Sequence, residues 1–71
     1  MMTLVIAASD TADVWGDRAA YVLKGGTAYV YAGGVAHVLA GGVAHVLAGG
    51  TAYTRKGDDW VATQGPAEVE G

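Results

Sequence analysis

Apolar residues come in short runs along this chain, and each run closes on a two-residue glycine or polar break. The clearest stretch, residues 27–51, reads TAYVYAGG-VAHVLAGG-VAHVLAGG-T, one eight-residue unit written three times and twice identically. With positions labelled a to h from Thr27, a is Thr or Val, b is Ala, c is Tyr or His and d is Val. Position e is Tyr or Leu, f is Ala, and g-h is Gly-Gly. β-Branched, aromatic and small apolar residues followed by a breaker predict a short strand and a tight turn. A helix is excluded, because paired glycines at this interval would each cost about 1 kcal/mol in a helix interior.

The frame extends outward without a gap. It gives eight units at 3–10, 11–18, 19–26, 27–34, 35–42, 43–50, 51–58 and 59–66. Ser9-Asp10 and Asp17-Arg18 stand where later units carry glycines, and the last unit ends in Gly65-Pro66. The expectation is one β-repeat domain over residues 1–66, with residues 67–71 a loosely held acidic tail. Residues 1–8 are apolar but short and lack a basic start, so they read as the first strand rather than a secretion signal or a membrane span.

Two arrangements of such strands compete. In a meander of two-residue hairpins, the b-d-f set of one strand would share a face with a-c-e of the next. This chain keeps the two sets distinct. Position d stays aliphatic through Ile6, Val14, Val22, Val30, Val38 and Val46, and position b stays small through Ala28, Ala36 and Ala44. Equivalent residues that stack in register along a solenoid would produce that separation. The predicted core is therefore b and d, with Leu4 and Ile6 closing one end and Trp60 the other. Gly25, Gly26, Gly33, Gly34, Gly41, Gly42, Gly49 and Gly50 form the turns. Tyr29, Tyr31, His37, His45 and Tyr53 face outward as candidate partner contacts.

Composition sharpens this picture. An Ala/Val core in a 71-residue chain with 12 glycines and no cysteine is thin and unstapled. Oligomerisation is the natural remedy, and an apolar outer face is consistent with it. The net charge of −3 offers no basic patch for nucleic acid. Asp10, Asp13 and Asp17 do not follow the alternating ligand spacing of a calcium loop, so they read as solvated turn acids. Trp15 is expected to pack rather than recognise a ligand. Lys24 and Lys56, at f, point to water and discourage edge pairing.

Candidate chemistry is sparse. His37 and His45, one unit apart at c, would lie about 5 Å apart if each unit made one layer. That spacing suggests a shared metal, yet Tyr29 and Tyr53 bracket them as aromatic stackers, so no metal site and no cofactor are expected. The single serine, Ser9, sits in a turn, and no helix follows any Gly-Gly to hold a phosphate. Thr3, Thr11, Thr27 and Thr51 form a threonine rank, interrupted by Val35 and Val43, of the kind that ice-binding solenoids display. No nucleophile and base are paired, so catalysis is not expected.

The eight-residue period with turn glycines resembles the intertwined three-stranded β-helix at the tip of contractile-tail phage spikes. The residues that carry the resemblance are Leu23-Lys24-Gly25, Tyr31-Ala32-Gly33, Leu39-Ala40-Gly41 and Leu47-Ala48-Gly49. They stand where that family has Val-x-Gly, with a doubled glycine as a further departure. The resemblance covers residues 3–66 in period. It implies an all-β octad β-helix wound from three copies, a virion location, and a structural role as spike, fibre or clamp beside other virion proteins. The alternative is a single-chain, two-sheet solenoid of about four coils that binds a carbohydrate, ice or a protein through its Tyr/His/Thr face.

Overall fold

The structure, a computed structural model, describes residues 3–71; the first two residues of the expected first strand lie outside it. The chain is all-β, with no helix among the described residues, and winds as a β-solenoid of about three turns. Seven strands rise through it: β1 (Thr3–Ile6), β2 (Thr11–Val14), β3 (Ala19–Val22), β4 (Thr27–Val30), β5 (Val35–Val38), β6 (Val43–Val46) and β7 (Thr51–Lys56). They alternate between two sheets. One sheet is ordered β1-β3-β5-β7 and the other β2-β4-β6, parallel throughout. Two more strands, β8 (Asp59–Gln64) and β9 (Ala67–Glu70), run antiparallel and finish the first and second sheet respectively.

One coil is thus sixteen residues, pairing Thr3 with Ala19 and Thr11 with Thr27. Register keeps position classes together: Ala20 lies beside Ala36 and Val22 beside Val38, while Tyr21 lies beside His37. Because side chains alternate across a strand, b and d all point between the sheets. Val14, Val22, Val30 and Val38 are fully buried, as are Ala20, Ala28, Ala36, Ala44 and Ala52; Ile6 and Val46 are nearly so. Leu4 is half-buried against this core. Small residues let the two sheets approach closely, and no polar side chain is buried between them.

The sheets and the core close within one chain. Its accessible surface is 4083 Å², close to the roughly 4,100 Å² that a free monomer of 7.1 kDa would expose.

The corners explain the doubled glycine. In residues 47–50, Gly50 N donates to Leu47 O at 2.9 Å and Gly49 has φ +86°. A positive φ at the third turn residue marks a type II turn. Gly50 has a different reason to be glycine: a Cβ there would lie 2.6 Å from the Val30 carbonyl oxygen of the coil beneath. The g residue is thus set by its own torsion and by the coil beneath, where a Cβ at Gly49 would lie 2.9 Å from the Ala32 Cβ, and the h residue by the neighbouring backbone alone. Corners also bond to corners along the stack, Gly25 N to Gly41 O and Gly33 N to Gly49 O. In the first coil, position h holds Asp10 and Arg18, where no described strand lies beneath.

The C-terminal end corrects three expectations. First, a two-residue turn at Gly57-Asp58 folds β8 back on β7, with Arg55 opposite Trp60 and Tyr53 opposite Ala62. This reversal swaps the position classes, so Trp60 joins the outer face at 38% exposure instead of closing the core. Second, residues 67–70 are not a loose tail. They form β9 on β6, with Val69 buried opposite Ala44 and Glu68 and Glu70 turned outward. Third, the winding makes about three turns rather than four, because the eighth unit reverses instead of continuing.

Candidate interaction faces

Each sheet carries one column of outward c residues, built by the same register that fills the core. On the first sheet the column is Val5, Tyr21, His37 and Tyr53. Its rings stack at 5.0 Å (Tyr21–His37) and 5.2 Å (His37–Tyr53), with planes within 21° of parallel. Trp60, arriving on β8, meets His37 edge-on at 5.2 Å and 89°. The Arg55 guanidinium lies 5.7 Å from the Trp60 ring centre. Enclosed this way, His37 Nδ1 is buried and has no hydrogen-bond partner.

On the second sheet the column is Asp13, Tyr29, His45 and Glu68. Tyr29 and His45 stack at 4.9 Å, and His45 Nδ1 is 3.3 Å from a Glu68 carboxylate oxygen. Next to it, the corner column places Trp15, Tyr31 and Leu47 at e. Tyr31 donates its hydroxyl to Asp13 at 3.4 Å. The negative charge of Asp13 pushes the Tyr31 phenol above its ordinary pKa, because a second negative charge beside it is disfavoured. Trp15 is half exposed rather than packed away, and Arg18 covers one of its faces at 4.2 Å.

These placements revise the histidine expectation. His37 is on β5 and His45 on β6, in opposite sheets, so they cannot share a metal ion. His37 stacks between Tyr21 and Tyr53, and His45 stacks on Tyr29, in each case sixteen residues away. Among the described residues no three His, Asp or Glu side chains gather in metal-binding geometry. The threonine rank divides in the same way: Thr3 and Thr51 lie on one sheet, Thr11 and Thr27 on the other. A recess of about 430 Å³ near the C-terminal end is lined by Val38, Leu39, Ala40, Arg55, Gly57 and Gly71, and Arg55 is its one charged group.

Stacking decides what these faces offer chemically. Rings in a ladder occupy each other's faces, so a partner meets hydroxyl tips and ring edges rather than open π surfaces. Flat docking of a sugar ring therefore has little to stack on. What remains is a rigid, amphipathic, closely spaced surface, with Val5, Tyr21, Tyr29, Tyr31, Leu47 and Trp60 all exposed. Sequence reasoning missed Trp60, Arg55 and Glu68 as members of these faces, because only the chain reversal brings them there. Compared with known proteins, the chain matches no family model, no curated protein and no solved structure.

Proposed function

We propose that this chain is a non-enzymatic structural building block: a rigid β-solenoid that associates with copies of itself within a larger assembly. The supporting observation is the distribution of apolar side chains. The interior is complete without a partner, yet large apolar and aromatic residues stand exposed on both sheets, at one corner and at both ends. Scattered apolar residues are ordinary on a surface, but contiguous columns of them are characteristic of interfaces. The spike resemblance of the period suggests the setting, a virion spike, fibre or clamp, in which that family winds three copies. Since one chain fills its own core here, copies in this reading join through outer faces and strand edges.

Mass in solution, by size exclusion with light scattering, is the test. A whole multiple of 7.1 kDa supports the reading, with three copies pointing to the spike setting. A monomer at every concentration overturns it.

A second reading, a binding module for a protein partner, is favoured by the corner where Asp13, Trp15, Tyr29 and Tyr31 meet. There, Tyr29→Ala with Tyr31→Ala would abolish partner binding and leave the mass unchanged.

A further inference from the structure

We propose that two copies join head to head by antiparallel pairing of β1 with β1 of the second copy, a step that rests on the self-association reading above and names its surface. Four strands lie at the described edges of the sheets: β1 and β8 in one, β2 and β9 in the other. Proteins guard such edges with charge, proline or bulges, since free N–H and C=O groups otherwise recruit another strand. Three of the four are guarded. β2 carries Asp13, β8 begins at Asp59 after Asp58, and β9 carries Glu68 and Glu70. β1 is Thr3-Leu4-Val5-Ile6, continued by Ala7-Ala8, with neither charge nor proline. Its outward Val5 is 66% exposed, the most open of the exposed large hydrophobic side chains.

The geometry selects the occupant. Another coil stacked in the parallel register would need glycine at position h, where a Cβ meets the carbonyl of the coil beneath. The first coil has Asp10 and Arg18 there, which closes this edge to parallel continuation. The far end of a second copy is also unsuitable. Its edge strands are charged, with Asp59 on β8 and Glu68 and Glu70 on β9, and these with Asp58 outweigh Arg55 and Lys56, just as Asp10, Asp13 and Asp17 outweigh Arg18 at the end it would meet. Antiparallel pairing of β1 with β1 needs no glycine at h and leaves charge off the paired strands, confining the acids to the rim, and this chain completes its own parallel ladders that way twice, with β8 on β7 and β9 on β6.

An antiparallel β1 pair is self-complementary. Inward residues must oppose inward ones, and the register that centres on Val5 satisfies this: Val5 faces Val5 of the second copy, and Leu4 faces Ile6. Leu4, half-buried in one chain, then becomes interior to a core continuous through both. The five-stranded sheets merge into one of ten strands about a two-fold axis, an isologous contact that closes after two copies. The rim of the joint carries Asp10, Asp13 and Asp17 against a single Arg18 in each copy, so both sides are net negative and added salt should tighten it.

The experiment is size exclusion with light scattering on the wild-type chain, Val5→Lys and Ala62→Lys, each checked for native fold by circular dichroism. Val5 and Ala62 are both exposed edge positions, on β1 and β8, so both variants keep the core. The expected result is twice the 7.1 kDa chain mass for wild type and Ala62→Lys, one chain mass for folded Val5→Lys, and a larger dimer fraction at high salt. An oligomer that Val5→Lys leaves intact, or one that salt dissociates, overturns the β1 joint and leaves self-association standing. A wild-type monomer at all concentrations overturns both.

Discussion

The parallel shaft and the antiparallel C-terminal end are made of the same kinds of residue but obey different rules. In the shaft, a residue's fate follows from its place in the unit: b and d point into the core, c points outward on a ladder, and g and h turn the corner. In β8 and β9 the same frame assigns faces wrongly, because each reversal pairs odd positions with even ones. Trp60, at a nominal core position, lies outside; Val69 and Ala67, in a nominal tail, lie against the core. A repeat is informative about structure only while the chain keeps its direction.

The contrast predicts how each region responds to damage. The largest effect is expected at a shaft core position. Val38→Asp should prevent folding, since an unpaired carboxylate between the sheets costs several kcal/mol. By contrast, His37→Asp, one residue away on the outer face, should lose only stacking and about 1 kcal/mol. Thermal melts by circular dichroism check the pair, and equal melting temperatures would disprove the inside-outside assignment.

Next in size is a change of length. Deleting the coil 35–50 keeps every remaining strand in its sheet, so β3 meets β7 and β4 meets β9; the shortened protein should still unfold cooperatively. Deleting residues 43–50 alone moves β7, β8 and β9 to opposite sheets, and cooperative unfolding should be lost. If the shorter deletion is the better tolerated, eight residues rather than sixteen are the structural unit.

Smaller still is a single methyl group at a corner. Gly50→Ala should cost roughly 1–3 kcal/mol, because the new Cβ is driven against backbone that cannot retreat. Gly57→Asn, in the open turn of the C-terminal hairpin, should cost well under ~1 kcal/mol, since a Cβ there meets nothing within 4 Å and Asn accepts a positive φ. Denaturant titration separates the two.

The smallest effect is expected at the His45–Glu68 pair on the surface of the C-terminal end. Glu68→Gln should change stability by less than about 1 kcal/mol. A larger loss would mean that β9 is anchored by charge rather than by Val69.

Much of the shaft was legible because its pattern is redundant. Aliphatic d, small b and paired glycines each point to stacked strands, and they agree. The sixteen-residue coil was harder to see, since alternate units have nearly the same sequence. Its trace lies at the corners: the large aromatics at e, Trp15 and Tyr31, fall sixteen apart, on one of the two edges where sheets meet. Read at eight residues per layer, His37 and His45 are neighbours; read at sixteen, His37 falls between Tyr21 and Tyr53 and His45 beside Tyr29. In β9, Ala-Glu-Val-Glu already alternates with the period of a strand, but its acidity obscured that. Arg55, Trp60 and Glu68 could not be placed on the outer faces without knowing where the chain turns back.

Pairing at a fixed sixteen-residue distance also sets the order in which the molecule can be built. Each strand of the shaft finds its partner one coil earlier, so the first two coils can close as soon as they leave the ribosome, and later ones add to an existing template. Such nearest-neighbour growth needs no distant segment to return. β9 is the exception: it follows β7 and β8, which belong to the first sheet, and pairs back with β6 in the second. The shaft can therefore assemble during translation, whereas the second sheet keeps a live growing edge at β6 until β9 has emerged to cover it.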